Sequence, residues 1–129
     1  MRRLGLVILM AFSLALCMYG ADKSKARIHF ENTTLNLGHI KEDGGPVAVE
    51  FPFTNTGKDP LKIESARAQC GCSRAVYPKN EIAPGESGTI KVTYNPLGQP
   101  GGFTKVITVR CTGNPGKVSL KIRGTVVPK

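Results

Sequence analysis

The strongest constraint on the fold is an alternation of apolar and polar residues with a period of two. Between positions 47 and 54, valines and phenylalanines occupy every second position. The same alternation recurs at residues 90–95, 107–112 and 117–126. Because successive side chains of a strand point to opposite faces of a sheet, this period predicts strands that bury one face and expose the other. Shorter apolar stretches at 27–31, 35–37 and 61–63 predict three more strands.

Glycine and proline separate these segments from one another. The chain has 15 Gly and 9 Pro, and turn signals built around these residues lie at positions 42–45, 55–57, 83–85, 98–102 and 113–116. No amphipathic helix is predicted between them. About seven short strands in roughly 100 residues, each with one apolar face, are expected to pack as two antiparallel sheets. The sequence therefore predicts an all-β, immunoglobulin-like, two-sheet antiparallel sandwich.

Two details concern the strand predicted at 47–54 and the turn before it. Pro52 has no amide hydrogen to donate to a neighbouring strand. We therefore expect this strand either to lie at a sheet edge or to meet its neighbour out of phase at Pro52. The adjacent carboxylates of Glu42 and Asp43 precede two glycines, and we interpret them as part of a solvated hairpin turn.

The first 21 residues have the layout of a secretory signal peptide. Arg2 and Arg3 precede an almost wholly apolar stretch at positions 4–16. We expect cleavage near Ala21, with residues 22–27 as a polar tether and 28–129 as the sandwich domain. Two alternatives stay open. Residues 14–17 resemble a bacterial lipobox, which would make Cys17 a lipidated first residue, and an uncleaved segment would just suffice as a membrane anchor. Membrane contact is expected only through this N-terminal segment.

Export places the domain in the periplasm or outer envelope, where disulfides persist. Without Arg2 and Arg3, the chain keeps 16 Lys and Arg against 9 Asp and Glu. We expect a solvated basic surface, because residues such as Lys91, Arg110 and Arg123 are dispersed between apolar strand positions. For an acidic partner, the charge favours an envelope polysaccharide or anionic lipid headgroups. Nucleic acid is not expected, since no aromatic residues are interleaved with the cations.

Four segments in a fixed order carry a family resemblance. They are residues 53–63 (FTNTGKDPLKI), 70–73 (CGCS), 82–92 (IAPGESGTIKV) and 102–105 (GFTK). Together they resemble a bacterial family known as domain of unknown function 1573, which is similar to the Ig-like domains named for abnormal-spindle and Hydin proteins. The resemblance covers about residues 28–127. It implies an exported bacterial protein with an Ig-like sandwich, and it carries over no catalytic residue and no role for the Cys-Gly-Cys element.

The Cys-Gly-Cys element is the main candidate for chemistry. With Gly71 between them, Cys70 and Cys72 could bind one soft metal ion such as Cu(I), or exchange disulfides. Either role needs a thiolate, which nearby basic residues could stabilise. We favour a structural role instead. Cys111 is in phase with the buried side of its strand, so a bridge to Cys70 or Cys72 would clip two strands together. A direct Cys70–Cys72 bond ranks below that bridge, because we expect it to be strained.

No other set of residues in the sequence predicts catalysis. His29 and His39 are isolated from each other and from any nucleophile, so we interpret them as surface or strand residues. We therefore expect an exported, non-enzymatic Ig-like module, without a cofactor, that binds or scaffolds another component of the cell envelope. Residues 68–78 are its most specialised loop. The alternative is a thiol-based metal-binding or redox protein that acts through Cys70 and Cys72.

Overall fold

Eight strands make up the regular structure between Lys25 and Lys129, the residues that this computed structural model describes. They are β1 (Ile28–Phe30), β2 (Thr34–Lys41), β3 (Val47–Asn55), β4 (Ile63–Ala68), β5 (Ser73–Val76), β6 (Ser87–Tyr94), β7 (Gly101–Cys111) and β8 (Lys117–Val127). No helix in this range is long and apolar enough to cross a membrane. The predicted signal peptide, the lipobox with Cys17, and residues 22–24 of the predicted tether lie outside the described residues.

The strands form two four-stranded sheets. In sheet I the order is β1-β3-β6-β5, and in sheet II it is β2-β8-β7-β4. Buried residues of both sheets belong to one apolar cluster, so the sheets face each other as a sandwich. Tyr94 of sheet I stacks on Phe103 of sheet II with 4.5 Å between ring centroids, which joins the two sheets directly. The predicted immunoglobulin-like sandwich is confirmed.

Two features of the sandwich differ from the prediction. Strand β5 falls within residues 68–78, which were predicted to be a loop. The prediction missed this strand because its sequence, Ser-Arg-Ala-Val, carries little apolar alternation. Strand β2 pairs with β8 in parallel, whereas the other pairings between the eight strands are antiparallel. Periodicity marks which residues face the core, but it carries no information on the direction of the neighbouring strand.

The core uses the apolar positions of the alternation. On β3, Phe51 and Phe53 are buried while Glu50 and Pro52 are exposed. Strands β6, β7 and β8 follow the same rule, with Ile90, Ile107 and Leu120 fully buried. Burial of one apolar row from each strand is the main stabilising contribution that this pattern provides.

Strand β3 lies inside sheet I, so the predicted placement of this strand at a sheet edge is wrong. Strand β3 pairs with β6 on one side and with β1 on the other. The amide of Asn55 donates to Glu86 on the β6 side, at 2.9 Å. Because backbone direction alternates along a strand, the Pro52 nitrogen faces the β1 side, and β1 ends opposite Phe53. Pro52 therefore stands just beyond the last residue of its partner strand, where no ladder bond is lost.

Asn55 ties the start of the described chain to the sandwich. Its fully buried side chain donates to the carbonyls of Asp59 and Ile82 at 2.8 and 2.9 Å. Its oxygen accepts from the amides of Gly57 and Arg27 at 3.0 and 3.3 Å. Residues 25–27, the end of the predicted tether, are thus bonded into the domain, and Ala26 is fully buried. A side chain at Gly57 would lie within 2.7 Å of the Ala26 backbone, so this close approach needs glycine.

Candidate functional site

The Cys-Gly-Cys element forms one of the crossovers between the two sheets. It connects the end of β4, an edge strand of sheet II, to the start of β5, an edge strand of sheet I. We call residues 69–79, which include this turn and all of β5, the disulfide corner. Strand β5 pairs only with β6 among the strands of the described chain, so its other edge is not hydrogen bonded to a strand.

Cys70 and Cys72 are joined to each other by a disulfide, with their Cα atoms 5.3 Å apart. Three backbone hydrogen bonds hold the turn. The Gln69 amide donates to the carbonyl of Val106 in β7 at 2.9 Å. The Asn95 amide, just after β6, donates to the Cys72 carbonyl at 2.9 Å, and the Ser73 amide donates to the Cys70 carbonyl at 3.3 Å. The turn is therefore anchored to both sheets.

The expected bridge from Cys111 to Cys70 or Cys72 is wrong. Strand register places Cys111 opposite Ile63, at the beginning of β4, whereas Cys70 follows the end of that strand. The Gln69 amide meets Val106, five residues from Cys111 along β7, which corresponds to roughly 16 Å at about 3.3 Å per residue. A disulfide needs Cα atoms within about 7 Å. The β4–β7 register thus excludes this bridge, in agreement with the bond between Cys70 and Cys72, and the sequence alone does not reveal that register.

Cys111 is a free thiol in the core. It is 6% exposed, and its Sγ donates to the carbonyl of Pro115 at 3.4 Å. Burial raises the pKa of the Cys111 thiol, with a smaller opposing contribution from a backbone hydrogen bond at Gly113. The raised pKa favours the protonated thiol, and burial keeps it from solvent, so the structure gives Cys111 a packing role.

The surface of the disulfide corner combines a shallow depression with an exposed apolar side chain. The depression, about 310 Å³, lies between the turn and the strands next to it, and includes Gly71, Cys72, Arg74 and Thr93. Gly71 is exposed, and a Cβ built there would contact nothing within 4 Å. At the far end of β5, Val76 is 55% exposed. This corner therefore offers a strand edge, an accessible turn and an apolar side chain together.

Aromatic and charged groups support the far side of the disulfide corner. The Tyr77 hydroxyl donates to the Glu64 carbonyl of β4 at 3.3 Å. The Lys79 ammonium lies 3.6 Å from the centroid of the Tyr77 ring, which is within cation–π range. These contacts fix the chain beyond β5 against β4, so that both ends of β5 are held in place.

The structure does not gather a metal-ligand set around the thiols. Within residues 25–129, no group of three or more His, Cys, Asp or Glu side chains could hold a metal ion. His29 and His39 are exposed on β1 and β2. The bond between Cys70 and Cys72 leaves neither sulfur as a thiolate, so it gives no support to the thiol-based alternative.

One buried carboxylate was misinterpreted in the sequence. Glu42 is 9% exposed rather than solvated. Its carboxylate accepts hydrogen bonds from the amides of Gly98 and Lys129 at 3.0 and 3.4 Å. It therefore ties the turn before β3 to the β6–β7 loop and the C-terminal residue. The partners come from distant segments, so no local sequence signal predicts this role.

The family resemblance is confirmed over the domain. Residues 28–126 match the family described as protein of unknown function (DUF1573). The chain belongs to the DUF1573 family, and its domain is an Ig-like sandwich. No curated protein matches the chain significantly.

Several solved structures share the fold at low sequence identity. A protein of unknown function from Porphyromonas gingivalis W83 has a TM-score of 0.70 at 18% identity, over 82% of this chain and 50% of that one. The ASH/PapD-like domain 7 of human CEP192 has a TM-score of 0.66 at 10% identity, over 85% and 92%. The YadV chaperone has a TM-score of 0.53 at 19% identity, over 79% and 52%. The chain thus spans half of the P. gingivalis protein, and at these identities the similarity concerns the fold alone.

Proposed function

We propose that this chain is an exported, non-enzymatic module that binds another protein of the cell envelope through the disulfide corner. The observation that carries the proposal is the edge of β5, which has no strand partner in the described chain and ends at the exposed Val76. An extended segment of a partner can add to such an edge through backbone hydrogen bonds, with alternate side chains giving specificity.

The disulfide supports this proposal through its position. It closes the turn immediately before β5, and that turn is hydrogen bonded to Val106 in one sheet and to Asn95 beside the other. A strand edge that is already held in place loses little conformational freedom when a partner binds, which favours affinity. The signal-peptide layout of residues 1–21 supports export. Export to an oxidising compartment such as the periplasm would in turn allow the disulfide to persist.

Site-specific photo-crosslinking in the native envelope tests the proposal. A photoreactive residue replaces Val76, and a matched control replaces Val127, which is 41% exposed on β8 of the other sheet. We expect one envelope protein to crosslink at position 76 and not at 127, and the variant Arg74→Glu in β5 to reduce that adduct. Identical adducts at both positions, or none at position 76, would contradict binding at the disulfide corner.

A further inference from the structure

The positive charge of the domain is concentrated on one sheet. The strands of sheet II contain seven Lys or Arg residues and a single acid, Glu64. The seven are Lys41, Arg67, Lys105, Arg110, Lys117, Lys121 and Arg123. The strands of sheet I contain two, Arg74 and Lys91, against Glu50. These basic residues are dispersed along the sequence. They come together on one sheet because of the strand order, which the sequence does not reveal.

Strand register places six of these cations, all of them exposed, on the outer face of sheet II. The exception is Lys105, which is half-buried and pairs with the buried Ile122, so it lies on the inner face. Arg110 lies directly opposite Lys117, a like-charge pair of the kind that destabilises a sheet. Lys121 and Arg123 follow on the same face of β8, roughly 7 Å apart. A bound polyanion would relieve this repulsion, since its charges would lie between the cations.

A depression lies on the same face, beside Arg123. Its volume is about 490 Å³. Gly102 is exposed and contributes no side chain to it, and Gly38 turns the backbone of β2 at an irregularity, with φ +69°. Hydrogen-bonding side chains surround it: Asn36, His39, Thr104, Arg123 and Thr125. Register brings Asn36 and Thr104 to either side of Arg123. Hydroxyl and amide groups around one guanidinium suit a sugar ring that carries an acidic group.

We propose that the outer face of sheet II binds an acidic polysaccharide, with one sugar unit in the Gly102 depression and its neighbours along the cations of β8 and β7. The binding chemistry is hydrogen bonding to ring hydroxyls, combined with ion pairing to carboxylate or sulfate groups spaced along the polymer. This site lies on the other sheet from β5, so it does not depend on the protein contact proposed for the disulfide corner.

The face favours a polysaccharide over an anionic membrane. Membrane-surface proteins combine cations with apolar side chains that insert between the lipids. Of the large apolar residues in the described chain that are well exposed, only Val127 belongs to a strand of sheet II. The face carries a mainly polar depression beside Arg123 rather than an apolar projection. A sugar ring can occupy such a depression, whereas the surface of a vesicle cannot.

Calorimetric titration of the protein, as purified from its own cells, tests this inference. The probes are polygalacturonate, dextran sulfate, neutral dextran, and vesicles that contain about 30% phosphatidylglycerol. We expect binding to the two acidic polysaccharides that weakens with added salt, and no binding to neutral dextran. Binding to the vesicles alone, or tighter binding to the vesicles than to either acidic polysaccharide, would overturn the proposal.

Two double variants that each remove two positive charges distinguish binding by the outer face of sheet II from a general effect of net charge. Lys121→Gln/Arg123→Gln removes two cations from β8, and Lys58→Gln/Lys91→Gln removes two exposed cations outside sheet II. We expect the first variant to bind polygalacturonate about tenfold more weakly and the second to bind within about twofold of the wild type. Equal losses in both variants would mean that overall charge alone governs binding, and would overturn the proposal.

A charge-neutral variant tests the depression itself. A Cβ at Gly102 would meet its nearest atom, the Gly124 carbonyl oxygen, at 4.0 Å, so Gly102→Val fits the strand without strain. We expect this variant to unfold like the wild type but to lose at least fivefold in affinity for polygalacturonate, because the valine side chain would occupy part of the depression. Unchanged affinity with an intact fold would show that no sugar unit binds in the depression.

Discussion

The Cys70–Cys72 disulfide is predicted to stabilise the disulfide corner and to contribute little to the stability of the whole fold. It joins residues separated by two positions, and closing a loop of about three residues gives roughly 1.6 kcal/mol in the chain-entropy model. A bridge from Cys70 to Cys111 would close a loop of about 42 residues, for which the same model gives roughly 4 kcal/mol. The two pairings therefore predict stabilities that an ordinary unfolding experiment can distinguish.

Urea unfolding of Cys70→Ser/Cys72→Ser measures this contribution. We expect the unfolding free energy to fall by less than about 2 kcal/mol with an unchanged urea slope. Cys111→Ala, which removes a sulfur from the core, is the comparison and should cost about 1–2 kcal/mol. A loss of 3 kcal/mol or more in the double variant would refute the reasoning, because a short loop cannot supply it.

Hydrogen exchange locates the effect of the same double variant. The amides of Gln69, Ser73 and Asn95 hold the turn and its surroundings. We expect these amides to exchange faster in Cys70→Ser/Cys72→Ser, while amides in the middle of β7 keep their protection. Uniformly faster exchange across both sheets would show that the disulfide acts on the whole sandwich instead.

Three further predictions concern the core. Asn55→Ala should lower the unfolding free energy in urea by about 3 kcal/mol, because it removes four hydrogen bonds, whereas Asn36→Ala, which loses one exposed bond, should cost less than about 0.5 kcal/mol. Tyr94→Phe should raise the melting temperature slightly, since its buried hydroxyl has no hydrogen-bond partner within residues 25–129; a lower melting temperature would contradict this. Burial raises the pKa of Cys111 above its ordinary value of 9.0, so above about pH 9 the thiol ionises in the unfolded chain and not in the folded one. The unfolding free energy should therefore fall as pH rises above about 9. Cys111→Ala should abolish that part of the pH dependence.

Most of the fold could be predicted from the sequence because its strands bury one face each. The alternating residues of β3, β6, β7 and β8 became the core as expected. Strand β5 was missed because the signal depends on apolar residues, and Ser-Arg-Ala-Val has few of them. Its place is set by backbone pairing with β6 rather than by its own composition. The parallel β2–β8 pair escaped prediction for a related reason, since alternation is the same in either direction.

The candidate site could be predicted only in part. The sequence singled out Cys70, Cys72 and Cys111, but their pairing depends on the register of β4 against β7, which brings Val106 rather than Cys111 to the turn. Glu42 was misinterpreted because its hydrogen-bond donors come from the β6–β7 loop and the C-terminus. The basic face likewise depends on strand order. Lys91 and Lys121 occupy similar positions in the sequence pattern, yet they lie on different sheets.

An intact mass of the protein from its native envelope, after alkylation in denaturant without reductant, tests the central claim most directly. The proposed function requires export and a formed disulfide at the corner. We predict a chain without residues 1–21 that carries one alkyl group, on Cys111, the free cysteine of the described domain. A chain in which Cys70 and Cys72 are alkylated as well as Cys111 would contradict an exported module that is stabilised by this disulfide.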